Sequence, residues 1–450
     1  VSVRPVCGAT AVEPGSARAM EKARFLEPYE LHYSDLIRLS SETISCSVSG
    51  EDREIARLAS VTREVTEALG PSGPGLLTIT DVPTTSVLRR NLLPFARRLS
   101  LLSNEDRKHI LSEHGLGSDV PLKNPNRIVS SFAMQLKYVQ ALESSALSQN
   151  NKHDQSALNS SEDCPNEFHY LGGTFKELGY CMMELGIRLA RICDRAIGGL
   201  ELEESLIESH SAKGRLIHYH STKDNIIIKE NMTKNGCSGH RKSQCVHALR
   251  NEQRSSNGNG LDLWQQWHYD YGIFTLLTAP LFVFPGQSET ESNNGGGSCV
   301  LECPYPSGHT HLRIFDPIKN DIFNVRASPE CIVVQVGESA DILSNGKLCP
   351  SLHSVSRPKE MESLGRETFV VFLQPSWSKK FCVSDHPGKN AASGNEGSGS
   401  DCEERHKLAE EINKIVPPLA SRLRDGMTFA EFSQETTKQY YGGSGLQSNR

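Results

Sequence analysis

The segment WHYDYGIF, residues 267–274, places a histidine and an aspartate two positions apart beside aromatic and β-branched residues. Residues i and i+2 of a β-strand point to the same face, so His268 and Asp270 are predicted to face inward together. An imidazole and a carboxylate are both ligand types for a metal ion. A His-x-Asp pair also occurs at ordinary polar strand edges. A metal site therefore requires a third ligand.

The third ligand is predicted downstream. His353, in the segment ILSNGKLCPSLHSVS, follows a turn and lies on a new predicted strand. Two histidines and one carboxylate on one face of an octahedron leave further positions open, and this arrangement is typical of non-haem Fe(II) that binds a cosubstrate and oxygen. Strands distant in sequence can bring such a residue within ligand distance inside a jelly roll.

A second pair with strand spacing follows in the segment GRETFVVFLQP. Arg366 and Thr368 lie two positions apart and are predicted to share one strand face. A guanidinium offers a planar fork of donors to a carboxylate, and a neighbouring hydroxyl adds a further hydrogen bond. The pair could therefore hold the distal carboxylate of 2-oxoglutarate, whose keto-acid end would chelate the iron.

The segments WHYDYGIFTLLT, VVQVGESADILSNGKLCPSLHSV and RETFVVFLQP, in this order, resemble the catalytic half of the plant-type 2-oxoglutarate- and Fe(II)-dependent oxygenases, the group related to isopenicillin N synthase. The resemblance implies that His268, Asp270 and His353 are the catalytic iron ligands. It places Arg366 and Thr368 where the family has Arg-x-Ser for 2-oxoglutarate. The implied cofactors are Fe(II) and the cosubstrate 2-oxoglutarate.

The segment RLIHYH resembles the Asn-x-Tyr region of the same family. The resemblance implies that Tyr219 is a second cosubstrate contact. Ile217 occupies the family's Asn position, so one polar contact to the cosubstrate or to iron-bound water is expected to be lost. Thr368 replaces a serine, although its hydroxyl can make the same hydrogen bond.

The activity implied is oxidation of a small organic substrate by molecular oxygen, with succinate and carbon dioxide formed from 2-oxoglutarate. The alternative is a non-catalytic jelly-roll module that binds a metal or a ligand, which Ile217 and two long insertions leave open. The expected partners are a small-molecule substrate and oxygen. Substrate specificity lies in loops and helical flanks, so the substrate class does not follow from the shared motifs.

The predicted fold class is mixed α+β, with a double-stranded β-helix (jelly-roll) core and flanking N-terminal and C-terminal helices. Short β-rich segments separated by Gly, Asn and Pro favour the jelly roll. The predicted organisation comprises a disordered leader at 1–27, a helical N-terminal region at 28–209 with a linker at 144–165, an oxygenase core at 210–380 with insertions at 225–263 and 286–308, a flexible linker at 381–402, and C-terminal helices at 403–450.

Hydrophobic periodicity predicts individual elements. Two helices are predicted between Glu27 and Gly70, one helix from Val87 to about Leu111, and a long core helix ending at a glycine pair, Gly198 and Gly199. The predicted strands are LLTITDV, RLIHYH, FTLLT, LFVF, HLRIFD, CIVVQVG, ADILSN and TFVVFLQP.

Composition argues against nucleic acid and membrane partners. The 48 basic and 54 acidic residues give a formal charge of −6, which provides no overall field to attract a polyanion. The apolar stretch FTLLTAPLFVFP is interrupted by Pro280 and is shorter than the roughly 20 residues that span a bilayer. Thirteen cysteines at irregular spacing, without a secretory signal, predict that most of the thiols are reduced and that the location is cytoplasmic or nuclear.

Other residues with ligand chemistry have simpler explanations. Cys237, His240, Cys245 and His247 lie in a polar insertion, at a spacing that fits no common zinc finger. His309 and His311 are predicted to lie at a strand edge. The arginines of LRRNLLPFARRLS are predicted to lie on a solvated helix face rather than on a nucleic-acid interface.

Overall fold

The computed structural model describes residues 24–41, 51–118, 120, 122, 124, 126–137, 167–234, 263–284, 303–358, 361–382, 410–412 and 414–441. Most of the predicted leader, the 144–165 linker, most of both insertions and the greater part of the 381–402 linker lie outside the described residues. Among the described residues, no helix has both the length and the apolar character needed to cross a membrane.

The described α-helices are α1 Tyr33–Ser40, α2 Glu51–Leu69, α3 Thr85–Leu92, α4 Pro94–Leu101, α5 Asn104–Glu113, α6 Leu171–Ile197, α7 Glu201–Ser209, α8 Thr222–Lys234, α9 Glu338–Leu343, α10 Leu419–Arg422 and α11 Phe429–Tyr441.

The described strands are β1 Phe25–Leu26, β2 Tyr29–His32, β3 Leu76–Thr80, β4 Val129–Lys137, β5 Ser211–Tyr219, β6 Leu263–His268, β7 Phe274–Thr278, β8 Leu281–Val283, β9 Leu312–Asp316, β10 Asp321–Val325, β11 Ile332–Val336, β12 His353–Ser356 and β13 Gly365–Leu373.

The strands form a large and a small sheet. The large sheet has the order β2-β3-β11-β7-β13-β5-β4, with β8 paired to β13, and the small sheet has the order β1-β10-β9-β12-β6. The sheets share apolar clusters: Leu76 and Val333 of the large sheet pack with Leu312 and Ile314 of the small one. The two sheets therefore face each other across a common interior. Mixed α and β structure is confirmed.

The outer face of the large sheet is covered by α6. Phe175 of this helix packs edge-to-face on Phe369 of β13, with ring centroids 4.7 Å apart. Gly186 lies so close to the sheet that a Cβ there would be 2.1 Å from Leu373 Cδ1. The helix ends at Gly198, whose φ of 72° lies in the left-handed region, as the glycine pair predicted. Burial of each large apolar side chain here contributes about 1.5–3 kcal/mol.

The single helix predicted from Val87 to Leu111 is wrong: the segment forms α3, α4 and α5. Pro94 begins α4, because proline has no backbone N–H to continue the preceding helix. Ser103 caps α5 by accepting a hydrogen bond from the backbone N–H of Asp106 at 3.1 Å.

Two further predictions need correction. The segment ADILSN is helical over most of its length, within α9, because Glu338 and Asp341 favour the first turn of a helix and Ala340 and Ile342 are buried on it. Residues 225–234, assigned to a polar insertion, belong to α8. The N-terminal region also contributes strands β2, β3 and β4 to the large sheet.

Candidate metal centre

The small sheet brings the two predicted histidine ligands opposite each other. His268 is the last residue of β6, His353 is the first residue of β12, and the two are direct partners in the antiparallel pairing. Asp270 lies just beyond β6, in the loop before β7, rather than on the strand itself. Strand pairing therefore sets the distance between the histidines, and the loop brings the carboxylate to them.

The three side chains converge. One ligand atom from each of His268, Asp270 and His353 can be chosen so that all lie within 4.8 Å of one another. Asp270 Oδ1 is 3.8 Å from Nε2 of His268, and Asp270 Oδ2 is 3.8 Å from Nε2 of His353. These separations match ligands around one ion, since each metal–ligand bond is about 2.0–2.2 Å. Among the described residues, these three form the one group of His, Cys, Asp or Glu side chains that lie close enough together to hold a metal ion.

The imidazole orientations suit a metal. Nδ1 of His268 donates to the backbone oxygen of Gln266 at 2.8 Å, and Nδ1 of His353 donates to that of Ser351 at 2.9 Å. Carbonyl oxygens only accept, so each Nδ1 carries the proton and each Nε2 keeps a lone pair that a metal ion could take. Asp270 Oδ2 is buried with no hydrogen-bond partner among the described residues. These donors fit a divalent cation.

The pKa of His268 favours the neutral imidazole, which is the form that binds a metal. Burial and the neighbouring His353 lower the pKa of His268 to about 4. The ring is therefore neutral at physiological pH, and only the neutral imidazole has a lone pair to give a metal.

The loop carrying Asp270 is held by the start of α9. The backbone N–H of Glu338 donates to Asp270 O at 2.8 Å, and that of Ser339 donates to Gly272 O at 3.0 Å. From the C-terminal helix α11, the Tyr440 hydroxyl accepts the backbone N–H of Tyr269 at 3.2 Å. These bonds fix the backbone on both sides of the carboxylate.

Arg366 lies in the interior between the sheets and is 2% exposed. Its Nε donates to the backbone oxygen of Thr310 at 3.2 Å, whereas its Nη1 is buried without a hydrogen-bond partner among the described residues. Burial lowers the pKa of this guanidinium. A buried cation with an unused donor fits an anionic ligand, because an unpaired buried charge is costly.

Tyr219 contacts Arg366, whereas the Thr368 hydroxyl is bonded within the sheet. The Thr368 hydroxyl donates to the backbone oxygen of Thr278 at 3.2 Å, so its proton is engaged within the sheet. Tyr219 is the β5 partner of Arg366, and the guanidinium carbon of Arg366 lies 5.1 Å from the centre of its ring. Ile217 is buried in an apolar cluster and has no polar group to offer.

Gln265 was not predicted and lies within the site. Its Oε1 accepts from the Tyr219 hydroxyl at 2.9 Å, and its Nε2 is 2.9 Å from Nε2 of His268. A polar contact chain therefore runs from Arg366 through Tyr219 and Gln265 to His268. In the sequence, Gln265 is a polar residue three positions before His268. A regular strand would direct it to the face opposite His268.

The prediction that His309 and His311 lie at a strand edge is wrong, because both precede β9. Both are buried in the turn before β9, with ring centroids 4.2 Å apart. Burial lowers the pKa of His309 to about 4 and that of His311 to about 3, so both are neutral. The carbonyl of Thr310 between them accepts from Arg366, so the turn supports the arginine. The Cys237–His247 zinc alternative lies outside the described residues.

No protein-family model and no curated protein matches the chain. Solved structures are similar to it. A full-length Neurospora crassa protein in complex with alpha-KG and 5-formyluracil is 13% identical, with 84% of this chain and 94% of that chain covered and a TM-score of 0.45. The rice dioxygenase for auxin oxidation is 15% identical, with 90% and 98% covered and a TM-score of 0.44. Dioxygenase for auxin oxidation 1 from Arabidopsis thaliana, as its 2-oxoglutarate complex, is 14% identical, with 78% and 94% covered and a TM-score of 0.41.

Proposed function

We propose that this protein is a 2-oxoglutarate- and Fe(II)-dependent dioxygenase that oxidises a small organic substrate. The observation that carries the proposal is the convergence of His268, Asp270 and His353 at the edge of an interior that also holds Arg366, a buried cation with one donor that no described residue engages. Two facing sheets, mostly antiparallel, support a double-stranded β-helix core of the plant-type oxygenases.

Each ligand residue has a distinct role in holding Fe(II). Nε2 of His268 and of His353 would each give a lone pair, and the Asp270 carboxylate would offset part of the charge of the ion. The Nδ1–H bonds to Gln266 and Ser351 keep both rings from turning. When bound, Fe(II) supplies the activation of oxygen that no amino-acid side chain provides.

Arg366 would orient the cosubstrate from the opposite end. Its unused Nη1 and its charge suit the distal carboxylate of 2-oxoglutarate, and burial strengthens that ion pair by lowering the local dielectric constant. The Tyr219 ring against the guanidinium limits its movement. The keto-acid end of the molecule would then lie toward His268, Asp270 and His353.

Oxygen-dependent succinate release from 2-oxoglutarate tests the proposal. Protein loaded anaerobically with Fe(II) is exposed to oxygen and succinate is quantified, with a panel of small organic acids and aromatic compounds as substrates. We expect release by the native protein and a loss of at least about a hundredfold in His268→Ala. His109→Ala, which removes an exposed histidine of α5, is the control and should retain full activity.

A non-catalytic module is the second candidate, favoured by apolar Ile217 and by the engagement of the Thr368 hydroxyl with Thr278. Binding of Mn(II) and 2-oxoglutarate with no succinate release for any substrate would support this candidate. Absence of both binding reactions would contradict the dioxygenase proposal. The cytoplasmic or nuclear location stays a prediction from the sequence.

A further inference from the structure

Building on the function proposed above, we infer that Gln265 contacts the cosubstrate: once a metal takes the lone pair of His268, the Gln265 carboxamide donates to the metal-bound carboxylate at the keto-acid end of 2-oxoglutarate. Gln265 would thus recognise one end of the molecule while Arg366 recognises the other. The inference concerns a partly buried side chain of β6 that lies between Tyr219 and His268.

The partners of Gln265 fix the orientation of its carboxamide. Burial raises the pKa of Tyr219, so its phenol stays protonated and donates to Oε1. His268 donates through Nδ1 to Gln266 O, so its Nε2 is an acceptor facing the Gln265 amide. The Nε2–H₂ group of Gln265 therefore points at the ligand atom of His268.

A β-bulge brings this side chain to the site. In the pairing of β6 with β12, His268 lies opposite His353 and Gln265 lies opposite Val355, so three steps along β6 match two along β12. Residues three apart on a regular strand point to opposite faces, but the extra residue reverses that relationship. Gln266, the neighbouring glutamine, is exposed instead.

Metal binding would remove the hydrogen-bond acceptor of the Gln265 amide. One lone pair of His268 cannot accept an amide proton and bind a metal together, so the ion would free the amide N–H. A partly buried donor left unpaired is unfavourable, and the Tyr219 phenol still holds Oε1 in place. The freed donor then faces the ion's other ligands, where a carboxylate is the strongest available acceptor.

In the part of the chain that the structure describes, the neighbouring side chains do not supply this donor. Ile217 presents hydrocarbon, and the Thr368 hydroxyl donates to the backbone of β7. Arg366 donates to the Thr310 backbone and stacks on the Tyr219 ring, whereas Gln265 contacts the hydroxyl of that ring. Among the described residues, Gln265 is the neutral donor placed against Nε2 of His268.

Calorimetric titration separates this role from metal binding. Mn(II) replaces Fe(II), and 2-oxoglutarate and succinate are titrated in turn into the native protein, Gln265→Leu and the control Gln266→Leu. For Gln265→Leu we expect Mn(II) affinity within about threefold of native, 2-oxoglutarate affinity about tenfold weaker, and succinate affinity unchanged. Succinate keeps a carboxylate for Arg366, but it is one carbon shorter than 2-oxoglutarate and lacks the keto-acid end that Gln265 would contact. Gln266→Leu should match the native protein throughout.

The variant Gln265→Asn keeps the amide but withdraws it by one methylene, and it should fall between native and Gln265→Leu in 2-oxoglutarate affinity. Native-like Mn(II) affinity in each variant shows that the site is folded. Equal 2-oxoglutarate affinity in native and Gln265→Leu protein would overturn the role of Gln265 alone. A native protein that binds neither Mn(II) nor 2-oxoglutarate would instead overturn the dioxygenase proposal.

Discussion

Arg422 and Glu338 form a buried ion pair that ties the C-terminal helices to the loop carrying Asp270. Their side chains are 0% and 2% exposed. Arg422 Nη1 donates to Glu338 Oε2 at 2.8 Å and to Thr436 Oγ1 at 2.9 Å. The backbone N–H of Glu338 in turn donates to Asp270 O. A continuous series of hydrogen bonds therefore connects α10 and α11 to the backbone of a candidate metal ligand.

Arg422→Ala is expected to destabilise the protein by about 3–5 kcal/mol, because it leaves the Glu338 carboxylate buried without its cation. Urea unfolding followed by circular dichroism measures the loss. Arg424→Ala removes an exposed arginine two residues away and should change stability by less than about 0.5 kcal/mol. Similar midpoints for the two variants would mean that the ion pair does not anchor the C-terminal helices.

Gly337→Ala should weaken metal binding without removing any ligand. A Cβ at this position would lie 2.3 Å from Gly272 O and 3.0 Å from Asp270 O, so the loop between β6 and β7 must shift. We expect Mn(II) affinity to fall by about tenfold, as for other changes that move a metal ligand indirectly. Titration monitored by electron paramagnetic resonance gives the affinity. Gly173→Ala in α6, where a Cβ meets no atom within 4 Å, is the control and should bind Mn(II) normally.

Local patterns were sufficient to predict much of the site. Residues two apart in sequence share a strand face or lie within one tight loop, so the His268/Asp270 and Arg366/Thr368 pairs could be recognised without knowledge of the fold. The long helix α6 was predictable because its apolar stripe continues to Gly198. Strand β4 carries a similar local signal, since Phe132, Met134 and Leu136 alternate along it and all three are buried.

Interactions that depend on register or long separations could not be predicted. Gln265 reaches His268 only through the bulge between β6 and β12, and no sequence feature near it specifies that extra residue. Glu338 and Arg422 are 84 residues apart. The segment ADILSN is too short for its apolar residues to distinguish a strand from one and a half turns of helix.

Arg366→Met should separate cosubstrate binding from metal binding. The thioether side chain fills much of the volume but offers no charge or donor, so 2-oxoglutarate affinity should fall by about a hundredfold, or about 2.7 kcal/mol, while Mn(II) affinity stays near native. Calorimetry measures both constants. Succinate affinity should fall as well, in contrast to Gln265→Leu. Arg90→Met, which removes an arginine side chain that is 54% exposed, is the control. Native 2-oxoglutarate affinity in Arg366→Met would exclude Arg366 as the carboxylate contact.

His218 of β5, which pairs with Glu367 of β13, lies fully buried between two carboxylates. Its Nε2 is 3.3 Å from Asp224 Oδ2, its Nδ1 is 3.1 Å from Glu367 Oε1, and Arg97 pairs with Asp224 at 2.9 Å. Although burial opposes it, these carboxylates raise the pKa of His218 to about 9. Adjacent His220 stays neutral, since burial and His218 lower its pKa to about 2.

Stability should therefore fall on the alkaline side of neutrality. The pKa of His218 is raised above its unfolded value of about 6.5, so its stabilising effect is complete below about pH 6.5 and is lost as the pH rises through about 9. Urea unfolding at intervals from pH 6 to 10 measures the slope, with His218→Gln compared at each pH. The variant should be less stable at pH 6 and its stability should change less with pH, because glutamine carries no titrating proton. Parallel slopes for the two proteins would show that His218 is not the charged partner of Asp224 and Glu367.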